Sequence, residues 1–122
     1  VPGSVDVPEA NATITAEQSD AVTGLEMTGR SRAFLQAASF ESPLSVRTRR
    51  PGDRLRPLGA PGRRKVQDLL VDRKVPRGER DRVPIVVDAR GQLVWVAGVA
   101  MAEECRVTAP EAGMVILELR KQ

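Results

Sequence analysis

Between Arg47 and Lys65 the chain reads RTRRPGDRLRPLGAPGRRK, and no long regular element can run through that stretch. Pro51, Pro57 and Pro61 lack the N–H that a helix interior or a central strand needs, while Gly52, Gly59 and Gly62 interrupt whatever begins between them. Eight of these nineteen residues are Arg or Lys and one, Asp53, is acidic. The chain must therefore fold around a stiff, irregular, strongly cationic segment, with regular structure on either side of it.

The flanks carry apolar patterns that suit such a fold. SVDV and ATIT near the start alternate apolar and polar residues as half-buried strands do, and a strand is expected through Phe34 and Leu35. A short strand is also expected within VTGLEMTGR, between Gly24 and Gly29. In PLSVRTRR, Leu44, Val46 and Thr48 alternate with Ser45, Arg47 and Arg49, which predicts a strand with one basic face. Pro51-Gly52-Asp53 supplies a turn, and 54–62 reads as a Pro/Gly loop. Val66, Leu69 and Leu70 recur at helical spacing, which predicts one helix over about 63–74 with a basic first turn. Cations there oppose the helix dipole at ~0.3–1 kcal/mol each and call for solvent screening or an external anion. A single helical turn is expected around Glu79 to Asp81, then a buried hairpin from 84–87 and 93–97 about the turn Asp88-Ala89-Arg90-Gly91. CRVT and MVILEL close the chain as two further strands. The fold class is α+β: mainly antiparallel β with one clear helix. All 122 residues are read as one domain, with 1–43 as lead-in strands, 44–101 as the central unit and 102–122 as closing strands.

Composition excludes several functions. There is no His for acid–base work, and a single cysteine, Cys105, has neither a disulfide partner in the chain nor a base to activate it. A zinc site lacks ligands for the same reason. GAPGRRK misses the spacing of a phosphate loop, and no Ser or Thr follows Lys65. Apolar runs are too short to span a bilayer, and no signal peptide opens the chain, so a reducing, cytoplasmic setting is expected. A start at Val1 rather than Met suggests a segment of a longer protein. Phe34, Phe40 and Trp95 are the only aromatic residues, so the core is expected to be built from Val, Leu, Ile and Ala, with Trp95 inside it and the three methionines as gap fillers.

The net charge of +3 conceals a strong asymmetry. Residues 47–82 hold thirteen Lys and Arg against five Asp and Glu, a net of +8; the remainder holds six against eleven, a net of −5. Segregated positive charge is the footprint of a polyanion binder. Arginine forks match phosphate geometry, glycine admits close backbone approach and proline limits the entropy lost on docking. Arg54, Arg56, Arg63, Arg64 and Lys65 are the expected centre of a phosphate clamp, which Arg49, Arg50, Lys74, Arg77 and Arg80 could extend. The bland alternative is a solvated or subunit-facing surface, since sixteen Arg against three Lys can also reflect nucleotide composition. Aromatics are absent from 47–82, which disfavours base-stacking platforms and favours structured RNA read by shape and backbone.

Four motifs in order across 44–101, namely VRTRRPGDR, the Gly-rich GRRK, LLVDRKVPRGERDRVP and the WVAG hairpin end, resemble the C-terminal domain of bacterial tRNA(Ile)-lysidine synthase. The opening VPG also looks like the strand that leads into that domain. The resemblance implies a sandwich-like β domain similar to one in the β subunit of phenylalanyl-tRNA synthetase. It further implies a parent ligase that uses ATP and lysine to convert the wobble cytidine of a minor isoleucine tRNA to lysidine. The pyrophosphate loop of that chemistry, SGG.DS, does not occur here, so this chain alone is expected to hold no cofactor and to catalyse nothing. Its implied role is to grip the acceptor-stem side of the tRNA. Its implied partners are that tRNA and the catalytic N-terminal domain, with a homodimer as a further assembly. By motif position the resemblance carries over Arg54, then Arg63, Arg64 and Lys65, then Arg80, with Asp53 bracing the turn and Arg82 equally suited to an internal salt bridge. Many relatives have Trp where Gly78 stands, so packing there is expected to differ. The competing reading is an interaction module whose basic face docks the catalytic domain or another subunit without touching RNA.

Overall fold

A computed structural model describes residues 3–7, 12–19 and 32–121. Two four-stranded antiparallel sheets and one short ribbon account for the strands. In the first sheet the order is β1 (Gly3–Val7), β2 (Ala12–Ser19), β10 (Met114–Lys121), β3 (Arg32–Gln36). The last strand of the chain thus lies between two early ones, with Leu117 opposite Ala16 on one side and Ala33 on the other. The second sheet runs β4 (Ser45–Arg47), β7 (Ile85–Val87), β8 (Leu93–Val96), β9 (Ala100–Met101). Its two central strands are buried at every position, as the uninterrupted apolar runs require. A bulge between Val86 and Val87 shifts the pairing from Trp95 to Leu93, so Val94 has no partner opposite it.

One apolar cluster joins the layers. Ile14, Leu35, Val115 and Leu117 of the first sheet, Ile85, Val94, Trp95 and Val96 of the second, Leu55 of the ribbon and Val66, Leu69 and Leu70 of the helix all belong to it. Trp95 is 2% exposed, in line with the core role expected of it, and Met114 is equally buried. Cys105 is buried too, and burial pushes its thiol above the ordinary range, so it is an inert packing group.

Three expectations need correction. The helix, α1, spans Val66–Asp72 rather than 63–74. Arg64–Lys65 instead form β6, paired with β5 (Arg54–Leu55), so the expected 54–62 loop begins as a strand and its remainder joins the two strands of a short hairpin. Lys65 keeps extended angles (φ −66°, ψ 137°), and the Val66 N–H donates to Asp53 O at 3.0 Å, a long-range bond that periodicity does not reveal. The first turn of α1 then holds Asp68 and no cation, which removes the dipole penalty. Lys74, at φ +57°, and the Val75 N–H to Leu70 O bond close the helix. CRVT is not a strand: Glu103–Cys105 is a 3-10 turn. The Thr108 and Ala109 N–H groups are taken by Gln36 Oε1 at 2.9 and 2.8 Å, which leaves no ladder for them to join. Gln36 returns both amide hydrogens to Ala109 O and Gly113 O, so its buried group is fully bonded. The strand expected within 22–30 lies outside the described residues.

The Asp88 turn shows how the hairpin is held. The buried carboxylate accepts the N–H groups of Glu41, Arg90 and Gln92 at 3.1, 3.0 and 2.9 Å. Asp88→Ala strands three donors and is expected to cost about 2–3 kcal/mol. Urea unfolding should show a lower midpoint at an unchanged slope.

Candidate nucleic-acid interface

The basic segment divides into cations with internal partners and cations without them. Arg47 is internal: its guanidinium donates to Asp53 Oδ2 and Oδ1 at 2.9 and 3.0 Å and to Thr48 O at 3.0 Å. Asp53 also accepts the Arg50 N–H at 2.7 Å, while its own N–H donates to Arg50 O. This closes the 50–53 turn, where Gly52 sits at φ +87°. Burial raises the Asp53 carboxyl, but the Arg47 and Arg50 hydrogen bonds and both guanidinium charges leave it below the ordinary value. Asp53 is therefore the brace expected of it, whereas Arg47 does not belong to an exposed basic face.

Arg49 pairs with Asp81 at 2.8 Å and Arg64 pairs with Asp72. Both acids are well exposed, so these pairs are weak and open to exchange. Arg56 and Arg80 turn inward: their Nε–H groups donate to Ala60 O at 2.8 Å and Val75 O at 3.0 Å. Both are half-buried and brace loops. Arg50, Arg54, Arg63, Lys65, Lys74, Arg77 and Arg82 are exposed and form no ion pair with any described residue.

The ribbon brings the unpaired charges together. Arg54 lies directly opposite Lys65 in the β5–β6 register, with Arg63 just before the strand. Like charges facing each other across a ladder are destabilising, so this arrangement is not there for stability. A cleft of about 250 Å³ lies beside it, lined by Arg49, Arg50, Gly52, Asp53, Lys65, Gln67 and Asp81 among others. The Arg49–Asp81 pair brings the 3-10 turn Arg77–Arg82 against this cleft. Lys74 stands at the opposite end of α1 from Lys65, the helix between them being about 10 Å long at 1.5 Å per residue. Glu103, which read in the sequence as part of a solvated acidic edge with Glu104, reaches the ribbon loop from the 3-10 turn and pairs with Arg106.

Two antiparallel sheets around a shared core, presenting a braced turn and a doubly cationic ribbon, define a small β-rich domain with one strongly basic face. The family model for the TilS substrate C-terminal domain matches residues 44–118, and the chain belongs to that family. The tRNA(Ile)-lysidine synthase of Symbiobacterium thermophilum is 43% identical over 116 residues, covering 93% of this chain and 23% of that protein. This chain thus spans under a quarter of that relative's length. A solved structure described as the TILS C-terminal domain superposes with a TM-score of 0.87 at 31% identity, covering 99% of this chain and 92% of that one. An N-terminal fragment of the phenylalanyl-tRNA synthetase β subunit from Pyrococcus horikoshii shares the fold alone, with a TM-score of 0.62 at 16% identity over 75% of this chain and 29% of that one. The antiparallel, few-helix fold expected from sequence agrees with both structures.

Proposed function

We propose that this chain is the tRNA-gripping domain of a tRNA(Ile)-lysidine synthase, a ligase whose ATP and lysine chemistry resides elsewhere in the protein. The single observation that carries the reading is the Arg54–Lys65 pair: two unpaired cations held face to face at an energetic cost, with Arg50 and Arg63 beside them. A phosphate backbone turns that repulsion into attraction. The arrangement suits the acceptor-stem side of a tRNA, where shape and charge rather than base stacking carry recognition. Docking onto a protein is less well supported, because Leu58 and Val71 are the only large apolar side chains exposed among the described residues. A docking interface needs an apolar centre, and two scattered side chains do not make one.

The test is filter binding of the chain to a minor isoleucine tRNA over a range of salt. With five to eight phosphate contacts, log K should fall against log salt with a slope of roughly −4 to −7. A salt-independent affinity, or none at low salt, would sink the reading.

A further inference from the structure

The loop joining β5 to β6 is held at four points. Three are hydrogen bonds that end on backbone carbonyls: Leu58 N–H to Met101 O at 3.0 Å, Glu103 N–H to Arg56 O at 2.8 Å, and Arg56 Nε–H to Ala60 O at 2.8 Å. The fourth ends on a side chain from outside the ribbon: the Gly59 N–H donates to Glu103 Oε1 at 2.7 Å. Gly59 is a corner of the turn closed by Ala60 N–H to Pro57 O, at φ +82°, a conformation that glycine adopts without strain and that little else enforces. The carboxylate is itself fixed, because Arg106 donates to both of its oxygens at 2.8 and 2.9 Å. The Arg106 hydrogen bond foremost, then the Gly59 N–H, hold its carboxyl down at about 2, so it is ionised throughout the range in which RNA is handled.

We propose that Glu103 is a positioning residue for RNA, the pin that holds the β5–β6 loop so that Arg54, Arg63 and Lys65 meet phosphates without first being ordered. This rests on the reading of the chain as a tRNA-binding domain. Charge alone predicts the opposite effect, since a carboxylate beside a cationic ribbon repels a polyanion and its removal should tighten binding. A pin predicts looser binding, because each residue freed in the loop must be ordered again on docking.

The experiment compares Glu103→Ala, Glu103→Gln and Glu104→Ala with the parent chain in tRNA binding over a range of salt. Glu104 is exposed and its side chain bonds to no described residue, so its removal changes charge equally without touching the loop. Glu103→Ala should weaken binding about tenfold, the cost of ordering one or two residues, and should leave the salt slope little changed, because the same phosphates are met once the loop is ordered. Glu104→Ala should bind as tightly as the parent or more tightly. Glu103→Gln keeps an acceptor for Gly59 and should recover the affinity, which separates positioning from charge. Amide exchange at Gly59 should be slow in the parent and the Gln variant and fast in the Ala variant, while Trp95 fluorescence reports that the core is intact. If the parent shows no salt-dependent binding, the tRNA reading fails and this inference falls with it. If the parent binds and Glu103→Ala matches Glu104→Ala, the pin alone is overturned. A Gly59 amide that exchanges freely in the parent overturns it as well, even should the Ala variant not fold.

Discussion

Changing Arg54, Arg63 and Lys65 together to Gln should lower tRNA affinity about a hundredfold at low salt, at roughly fivefold for each phosphate left without its cation, and make the salt slope shallower by between about 2 and 3. Stability should move the other way. Arg54 and Lys65 oppose each other across the ribbon and neither forms an ion pair with a described residue, so neutralising them removes repulsion and the melting temperature should hold or rise slightly. The opposite signs are the point: a residue set kept for the fold loses stability when it is changed, whereas one kept for an external anion loses only the anion. A triple variant that unfolds, or that binds as the parent does, would assign the ribbon to structure or to another partner. A companion variant of Arg56 and Arg80, whose Nε–H groups serve Ala60 and Val75, should show the reverse profile, with stability lost and the salt slope little changed.

That contrast also marks how far the sequence could be read. Strands with clear alternation or uninterrupted apolar runs were legible: ATIT, the 84–97 hairpin and MVILEL appear as strands, while of the strand expected over PLSVRTRR only Ser45–Arg47 forms one. Local pattern decides such elements, since one buried face is enough to set a strand's phase. The ends of α1 were not legible, because Val66 is held by Asp53 O, thirteen residues back, and Arg64–Lys65 are claimed by Arg54–Leu55. CRVT misled for a similar reason: Gln36, some seventy residues earlier, takes the N–H groups a strand would have used. For the candidate interface, the sequence marked a basic segment and could not divide it. Arg47, Arg49, Arg50, Arg54 and Arg56 look alike in one dimension. In three, the first grips Asp53, the second Asp81, the last a backbone carbonyl, and only Arg50 and Arg54 are left facing solvent. The partner of each arginine is a tertiary fact, and no spacing rule encodes it.

The Arg47–Asp53 pair should carry the largest stability effect on the basic face. Its side chains are 20% and 10% exposed, and Asp53 also satisfies the Arg50 N–H, so Asp53→Ala leaves a half-buried guanidinium and a turn donor unpaired. The pair is part-buried and Arg47 keeps Thr48 O, so leaving the rest of the guanidinium and the Arg50 N–H unpaired should cost about 2–3 kcal/mol, a fall of roughly 8–15 °C in melting temperature. A loss under about 1 kcal/mol would instead class the pair with ordinary surface bridges. The same carboxyl sets part of the acid limb. Asp53, Asp88, Glu103 and Glu118 all have folded values below their ordinary ones, so through that range the unfolded chain binds more protons than the native one. Their stabilisation is complete above about pH 5 and is lost as pH falls through the depressed native values. Asp53→Asn, which cannot take up that proton, should therefore start less stable at neutral pH and lose less on acidification, so that the two unfolding curves converge as pH falls below the ordinary carboxylate range. Because the turn that Asp53 closes also carries Arg49 and Arg50 into the cleft, the folded fraction of Asp53→Ala should bind tRNA more weakly despite its added positive charge. Tighter binding by that variant would mean that charge, and not the shape in which it is held, governs this face.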